Sequence, residues 1–382
     1  MSGEIEGYDE EEDLLLPPPR KEGGLRTGYT TGACAAAAAK AATMALIEQK
    51  PQSEVSIWLP TKREAVFKTV RWHLTSEEAR CCVIKDAGDD PDVTHGARIC
   101  AVVCWRNEPG IEIARGEGVG LVTKPGLGLE IGAPAITRVP WRLITSSVKE
   151  AAGSSLESRG IRVTLFVPGG EEIAQKTLNP RLGIVGGISI LGATGIVRPY
   201  STAAWRATVV QNIFVAAANG CREIVLSTGG QSETFARKLR PDLPDLAFVD
   251  MGIFTGEALR ACLRKKVERV VLCGMIGKFS KLAQGHLQTH AVGHRVDLGF
   301  LASVAAECGL PEAVYKEIAT ANTARHFAEI ARAHGLERVF SVICDRVAEV
   351  CFAHVKGGLV VEATLFDFEG TVLGKAQRVL SG

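Results

Sequence analysis

Aromatic side chains are scarce in this sequence. Phe, Trp and Tyr together make up 6% of its 382 residues, and its 44 basic residues are nearly balanced by 43 acidic ones. A nucleic-acid-binding protein typically carries a dense stripe of Lys and Arg with aromatic residues between them. Because no such stripe is present, nucleic acid is not the expected partner.

Long apolar runs are missing as well. The alanine-rich segment after Cys34 is interrupted by Lys40, so no run approaches the roughly eighteen apolar residues that a membrane span needs. The first residues carry Glu and Asp where a signal peptide would carry basic and then apolar residues. These features predict a cytoplasmic protein with no membrane partner.

Cysteine motifs are absent, although cysteine itself is not. The eleven cysteines form no CxxC pair and no Cys/His quartet with the spacing of a zinc site. Cys81 and Cys82 are adjacent, and Cys100 and Cys104 lie four apart in an apolar run. We therefore expect buried, reduced thiols in a reducing compartment.

Signatures of covalent catalysis and of nucleotide binding are also missing. The sequence shows no Ser/His/Asp or Cys/His pattern, and the glycines of Gly116–Gly120 are followed by Pro125 where a dinucleotide-binding motif would begin a helix. Neither Gly229–Glu233 nor Gly274–Lys278 has the spacing of a P-loop. The missing P-loop spacing therefore argues against an NTPase.

Two polar clusters are candidate metal sites. Lys85–Asp92 holds four acids but lacks the spacing of a calcium loop, which favours an ordinary turn. His286, His290 and His294 lie four apart and would share one face of an uninterrupted helix, but glycines break this segment. We expect no metal, and surface or substrate-contacting histidines; a metal site at the three histidines is the alternative.

The nearly neutral net charge conceals an asymmetry. The first thirteen residues hold seven acids and no base, so the rest of the chain carries 44 basic against 36 acidic residues, a net charge of +8. A mildly basic body of this kind suits an anionic ligand.

Length and pattern predict two domains in a fold that combines α+β and α/β architecture. We expect a disordered acidic tail over 1–23, a β-rich α+β domain over 24–200 and a Rossmann-like, doubly wound domain over 201–358. A closing β-hairpin over 359–382 is expected to pack on the first domain.

Ligand-binding turns are predicted in both domains. Arg26 and the cap residues Thr30 and Thr31 stand at the start of an alanine-rich helix, whose free N–H groups could bind an anion; a plain capped core helix is the alternative. In the second domain, strands alternate with helices, and ligands gather at the carboxyl ends of such strands. The turns at Thr228–Ser232 and Gly274–Lys278 follow two of these strands.

The stretch Gly183–Ser201 lies near the middle of the chain and holds five glycines among Ile, Val and Leu. Such glycines indicate a backbone that something must approach closely. A ligand-binding loop is the preferred interpretation, and a linker between domains is the alternative.

Five long motifs resemble the CbiD family, in the family's order, and the resemblance covers the chain from about residue 25 to the last hairpin. The motifs are GYTTGACAAAAAKAA (28–42), KDAGDDPDVTHG (85–96), GEGVGLVTKPGLGL (116–129), GISILGATGIVRPYS (187–201) and GMIGKFSKLAQG (274–285), the last followed by Thr289 and His290. The resemblance implies transfer of a methyl group from S-adenosyl-L-methionine to ring carbon 1 of the tetrapyrrole cobalt-precorrin-5B, giving cobalt-precorrin-6A in oxygen-independent cobalamin biosynthesis. Cobalt then belongs only to the substrate.

This chemistry sets the expected residue roles. Methyl transfer from a sulfonium to an electron-rich ring carbon needs positioning and water exclusion more than a covalent nucleophile. The predicted cofactor-binding residues follow the strands of the second domain: Thr228, Gly229, Gly230, Ser232, Asp250, Gly274 and Gly277. The predicted substrate-binding residues supply cations, hydroxyls and glycine N–H groups for an anionic cobalt tetrapyrrole: Arg26, Thr30, Thr31, Lys124, Gly192, Thr194, Gly195, Arg198, Lys278 and Lys281.

His290 is the predicted catalytic residue, as a base that removes a proton while the macrocycle rearranges. The alternative function is a non-catalytic carrier of corrinoid intermediates, which would bind the tetrapyrrole but have no methyl-donor site. The sequence is compatible with a homo-oligomer.

Overall fold

A computed structural model describes residues 24–289, 296–309, 311–319 and 321–379. The predicted tail over 1–23 lies outside the described residues. The chain divides into two compact units, which meet between Ala203 and Ala204. The fold is of mixed α/β type.

The first unit is built on a sheet of β-strands, a buried alanine-rich helix and short segments between them. Its helices are α1 (Thr31–Glu48), α2 (Arg138–Ala152), α3 (Gly170–Ala174) and α4 (Asn179–Leu182), and a 3₁₀ turn follows α2 at Gly153–Glu157. Its strands are β1 (Gly28–Tyr29), β2 (Glu54–Trp58), β3 (Glu64–Leu74), β4 (Glu78–Ile84), β5 (Arg98–Arg106), β6 (Ile111–Arg115), β7 (Gly118–Val119), β8 (Leu121–Val122), β9 (Gly160–Phe166), β10 (Ile184–Val185), β11 (Gly187–Ile188) and β12 (Ile196–Val197).

Six of these strands form the main sheet of the first unit, in the order β2-β3-β4-β5-β9-β6. All neighbours are antiparallel except β6 and β9. The small side chains of α1 let this helix lie directly against the sheet, so that its residues from Ala33 to Ala39 are fully buried. Lys40 lies on this helix, and its ammonium donates hydrogen bonds to the Ser56 carbonyl at 2.9 Å and to the Glu150 carboxylate at 2.7 Å.

The prediction that the cysteines are reduced is wrong for one pair. Cys82 and Cys100 face each other across β4 and β5, with Cα atoms 4.0 Å apart, and form a disulfide. The sequence does not predict this pairing, because the two cysteines are eighteen residues apart and the strand register brings them together. The other nine cysteines form no disulfide.

The second unit contains a five-stranded sheet flanked by helices. Its strands are β13 (Glu223–Ser227), β14 (Phe248–Asp250), β15 (Arg269–Met275), β16 (Val360–Phe366) and β17 (Val372–Arg378). Its helices are α5 (Thr202–Ala218), α6 (Gly230–Leu239), α7 (Thr255–Arg264), α8 (Ile276–Ala283), α9 (Leu298–Glu307), α10 (Glu312–Ala319), α11 (Ala324–Ala333) and α12 (Arg338–His354), with a 3₁₀ turn at Asp245–Ala247.

The sheet order is β14-β13-β15-β16-β17, and the first four strands are parallel. Their apolar side chains pack on both faces, as the near-continuous hydrophobic strands of a covered parallel sheet require. β17 runs antiparallel to β16. Within the described residues, every helix is too short or too polar to cross a membrane.

The closing hairpin is present, but its expected packing on the first domain is wrong. β16 pairs with β15 along its whole length, from Val360 opposite Arg269 to Phe366 opposite Met275. The hairpin therefore completes the sheet of the second unit. The hairpin pairs there because the side chains of Val361, Ala363 and Leu365 in β16 are buried in the core of the second unit.

Candidate functional site

The glycines of the central stretch are explained by their neighbours in the first unit. A Cβ added to Gly187 would lie 2.1 Å from the carbonyl carbon of Gly118 in the adjacent strand β7. Gly192 has φ +131°, and a Cβ there would lie 2.4 Å from the Thr30 side chain. The close approach that the sequence predicts is therefore made by the protein itself, so these glycines alone do not indicate a ligand.

The predicted hydroxyl ligands of the first unit also have structural partners. Thr30 caps α1 by accepting a hydrogen bond from the Ala33 N–H at 3.2 Å. The Thr31 hydroxyl accepts from the Leu191 N–H at 2.9 Å and donates to the Ser189 carbonyl at 3.1 Å.

Thr194 and Gly195 continue the central stretch toward β12. The Thr194 hydroxyl bonds to the backbone of Ile196. The Gly195 carbonyl accepts a hydrogen bond from the Thr30 N–H at 3.0 Å. The structure thus brings Thr30, Thr31 and the 191–196 segment together at the start of α1.

Two of the three predicted cations of the first unit, Arg26 and Arg198, lie at the same end of the strand pair β1-β12, in which Gly28 lies opposite Val197, and the third, Lys124, lies beside Gly183. Arg26 makes a bidentate ion pair with Asp86, with N–O distances of 2.5 and 2.9 Å. The hydrogen bond from Arg26 lowers the pKa of the Asp86 carboxyl to about 2. Lys124 lies across Gly183, and its ammonium is 3.5 Å from the Arg181 carbonyl. Arg198 is half-buried just beyond β12.

The second unit offers a different kind of site at the carboxyl ends of its parallel strands. β13 leads to β14 on one side, whereas β15 leads to β16 on the other, so the strand order reverses between β13 and β15. Open α/β sheets bind ligands at such a reversal. We call the space beyond the ends of β13 and β15 the switch crevice; it is flanked by Thr228 and Met275.

Glycines around the switch crevice lack the structural reasons found in the first unit. A Cβ at Gly230 or Gly277 would meet no atom within 4 Å, and at Gly229 it would meet only the Lys278 ammonium, at 3.9 Å. These residues begin α6 and α8, and neither helix has a side-chain cap on its first N–H groups. Open space and free N–H donors at two helix starts suit an anionic or polar ligand.

Gly274 and Ser232 are committed to packing and hydrogen bonding instead. A Cβ at Gly274 would lie 2.4 Å from the Phe279 ring and 2.9 Å from the Thr228 hydroxyl. The buried Ser232 hydroxyl donates to the Gly229 carbonyl at 2.7 Å. Both residues shape the turns that border the crevice.

Three charged residues lie at this end of the sheet. The Lys278 ammonium donates to the Thr228 carbonyl, and burial lowers the pKa of Lys278, opposed by Asp250 and assisted by Lys281. Asp250 ends β14, and its carboxylate accepts from the Gly252 N–H at 3.0 Å. Lys281 is only 6% exposed, and its ammonium bonds to no described residue.

Sequence reasoning missed three hydroxyl groups. Ser227 ends β13, Thr255 begins α7, and Thr289 pairs its N–H with the Ile253 carbonyl at 3.2 Å. Each side-chain oxygen is buried and has no hydrogen-bond partner among the described residues. For Ser227 and Thr255, a position at or after the end of a parallel strand was the available signal, whereas Thr289 follows α8; nothing in the sequence separates the three from other Ser and Thr residues.

The histidine cluster is represented only in part. His290 and His294 lie outside the described residues. α8 ends at Ala283, and Gly285 has φ +89°, so His286 lies beyond the helix. In the part of the chain that the structure describes, no group of three or more His, Cys, Asp or Glu side chains could hold a metal ion.

The described site is thus equipped for binding and positioning. It combines free helix N–H groups, two lysines, one carboxylate and partnerless hydroxyls around open space at a strand-order reversal. Such groups can hold a ligand that has both hydroxyls and an anionic end.

Two sequence profiles match the chain: CbiD over residues 19–199, and the CbiD C-terminal domain over 288–377. Proteins named cobalt-precorrin-5B C(1)-methyltransferase are similar along most of its length. The one from Rubrobacter xylanophilus is 52% identical over 90% of this chain and 89% of its own. The one from Geobacillus kaustophilus is 47% identical over 93% and 95%, and the one from Leptospira interrogans is 46% identical over 93% and 96%.

Among solved structures, the crystal structure of the cobalamin biosynthesis protein CbiD from Archaeoglobus fulgidus is 26% identical. It covers 81% of this chain and 85% of its own, with a TM-score of 0.37. On the profile matches and the extended identity to the curated relatives, the chain belongs to the CbiD family.

Proposed function

We propose that this protein methylates ring carbon 1 of cobalt-precorrin-5B, giving cobalt-precorrin-6A in oxygen-independent cobalamin biosynthesis. The observation that carries the proposal is the identity of 45–52% over at least 90% of the chain to proteins that bear the name of this methyltransferase. Cobalt enters only as part of the substrate.

The second unit is proposed as a Rossmann-like domain, over about 201–358 plus the closing strands, that binds S-adenosyl-L-methionine. The residues around the switch crevice fit this donor: the N–H groups at Gly229, Gly230 and Gly277 can donate hydrogen bonds to its polar end, and the carboxylate of Asp250 can accept from ribose hydroxyls. The partnerless Ser227 hydroxyl supports a polar ligand here. When bound, S-adenosyl-L-methionine supplies a methyl group on a sulfonium sulfur.

The first unit, over 24–200, is proposed to bind the anionic tetrapyrrole. Arg26, Lys124 and Arg198 are the cations, and Thr30, Thr31, Gly192, Thr194 and Gly195 border the start of α1. A substrate carboxylate at Arg26 would compete with Asp86, whereas the Lys124 ammonium is held only by a long contact to a carbonyl.

The chain's own contribution to the reaction is proposed to be orientation and water exclusion. Two reactants held in line need no covalent nucleophile, and holding them so removes much of the entropic barrier. His290 remains the predicted base for proton removal; a pH profile of activity that is unaltered in His290→Ala would exclude that role.

The cofactor assignment is tested by calorimetry with S-adenosylhomocysteine. Asp250→Ala should weaken binding by about tenfold, because a charged acceptor to the ribose hydroxyls is lost. Asp242→Ala is the matched control, since Asp242 is an exposed acid that pairs with Arg240. Equal affinity of Asp250→Ala and wild type would contradict the assignment.

The reaction itself is tested by anaerobic incubation with methyl-labelled S-adenosyl-L-methionine and cobalt-precorrin-5B. Label in the ring, at carbon 1, is the expected result. A protein that binds the tetrapyrrole but transfers no label would instead be the non-catalytic carrier.

A further inference from the structure

Lys281 is a largely buried lysine without a counterion among the described residues. It is 6% exposed, and its ammonium forms no hydrogen bond or ion pair with a described residue. The ammonium nitrogen is not among the enclosed polar atoms that lack a partner, so a buried stem carries the charge to open space. An anion from outside the chain can therefore reach it.

The direction of the side chain points toward the switch crevice. Lys281 follows Lys278 by one turn of α8, and helical side chains lean toward the start of their helix. The start of α8 lies at the end of β15, where Lys278 already donates to the Thr228 carbonyl. The positive charge of Lys281 is close enough to contribute to the lowered pKa of Lys278.

Charges around the crevice are arranged with opposite signs on its two sides. Asp250 ends β14 on one side of β13, whereas Lys278 and Lys281 follow β15 on the other. The uncapped starts of α6 and α8 add N–H donors on the side of the lysines. This order suits a ligand with hydroxyls at one end and a carboxylate at the other.

We infer that Lys281 binds the carboxylate of the methyl donor's amino-acid end, while the nucleoside lies toward Asp250. The inference rests on the proposed function, since it assumes S-adenosyl-L-methionine as the donor. It moves Lys281, and Lys278 beside it, from the predicted substrate site to the donor site.

The test compares two ligands that differ in the amino-acid end. S-Adenosylhomocysteine carries the carboxylate, and 5′-methylthioadenosine lacks the amino-acid end altogether. In Lys281→Met, calorimetry should show affinity for S-adenosylhomocysteine reduced by at least about tenfold and affinity for 5′-methylthioadenosine unchanged. Lys281→Arg, which keeps the charge, should retain most of the wild-type preference, and Lys238→Met on the exposed side of α6 should change neither affinity.

The outcomes separate the inference from the proposed function. If wild type binds neither nucleoside, the proposed methyl-donor site fails. If wild type binds both but Lys281→Met weakens both equally, or preserves the preference for S-adenosylhomocysteine, Lys281 does not bind the carboxylate. If Lys281→Met loses only affinity for cobyrinic acid, a cobalt corrin with free carboxylates, the lysine belongs to the substrate site. Thermal melting without ligand checks folding, and Lys281→Met should melt close to wild type, because methionine keeps an unbranched apolar stem in the same buried position.

Discussion

The ion pair between Arg26 and Asp86 shifts the pKa of both residues. The Arg26 guanidinium contacts both carboxylate oxygens of Asp86, and the Arg26 N–H donates to Asp89 at 2.5 Å. The hydrogen bond to Asp86 and the charge of Asp86 raise the pKa of Arg26, and the hydrogen bond from Arg26 lowers the pKa of Asp86 to about 2. An anion that binds Arg26 must therefore displace a carboxylate that is charged at neutral pH.

Arg26→Gln should raise the pKa of Asp86 from about 2 toward its ordinary value of 3.8. The native pKa of Asp86 lies below its unfolded value. Its stabilising effect is therefore full above about pH 4 and is lost as pH falls through about 2. An NMR titration of the Asp86 carboxyl checks the shift. His95→Ala is the control, because His95 is the weakest of the causes and its removal should shift the pKa much less.

Glycine has two different uses in this protein. In the first unit, Gly187 lets β11 lie against Gly118 in β7, and Gly192 makes room for Thr30. In the second unit, Gly230 and Gly277 have open space where a side chain would be. A glycine-rich sequence therefore predicts close approach, but it does not tell whether a neighbouring strand or a ligand makes that approach.

Gly230→Ala and Gly277→Ala should leave the free energy of unfolding unchanged or raise it by up to about 1 kcal/mol, because alanine favours a helix over glycine. Both should weaken S-adenosylhomocysteine binding if the space is used by the donor. Gly187→Ala should instead lower the free energy of unfolding by about 1–3 kcal/mol, because its Cβ would overlap β7. Urea denaturation and calorimetry measure the two effects. Equal destabilisation by Gly230→Ala and Gly187→Ala would contradict the distinction.

The closing hairpin shows which features of a sheet can be predicted from sequence and which cannot. The turn is local: the Asp367 carboxylate accepts from the N–H groups of Glu369 and Thr371, at 3.0 and 2.7 Å. The partner of β16 is not local, because β15 lies about ninety residues earlier. The sequence therefore predicted the two strands correctly and their neighbour wrongly.

Leu365→Ala should lower the free energy of unfolding by about 2–5 kcal/mol, because Leu365 is fully buried in β16 opposite Gly274 of β15. Val379→Ala is the control: Val379 follows β17, is 49% exposed and should change stability by no more than about 0.5 kcal/mol. Urea unfolding followed by circular dichroism measures both. A small effect of Leu365→Ala would mean that β16 is not an inner strand of this sheet.

Across the chain, sequence pattern predicted more of the fold than of the candidate site. Alternating strands and helices placed Thr228, Asp250 and Lys278 after parallel strands, where the structure has them. The partnerless hydroxyls of Thr255 and Thr289 could not be predicted, because an unmet hydrogen bond depends on what surrounds a side chain. A buried lysine stem whose ammonium has no counterion among the described residues, as at Lys281, is likewise a property of the fold alone.

The cysteines divide into chemically distinct groups once the fold is known. Cys82 and Cys100 are bonded to each other, whereas Cys104, Cys221 and Cys308 are half-buried thiols. The remaining thiols are buried: Cys34, Cys81, Cys262, Cys273, Cys344 and Cys351. Burial raises the pKa of all six.

Alkylation with iodoacetamide at pH 7 should therefore proceed in three stages that mass spectrometry can count. In the native protein, only the three half-buried thiols should react, and slowly, because burial raises the pKa of Cys104 and Cys308 and thiolate is the reactive form. Denaturation without reductant should bring the number of labelled residues to nine, since Cys82 and Cys100 stay bonded, and reduction should bring it to eleven. Eleven labels before reduction would show that the pair is reduced in the isolated protein. Native labelling of Cys34, whose pKa burial raises to about 12, would show that the helix α1 is not held against its sheet as described.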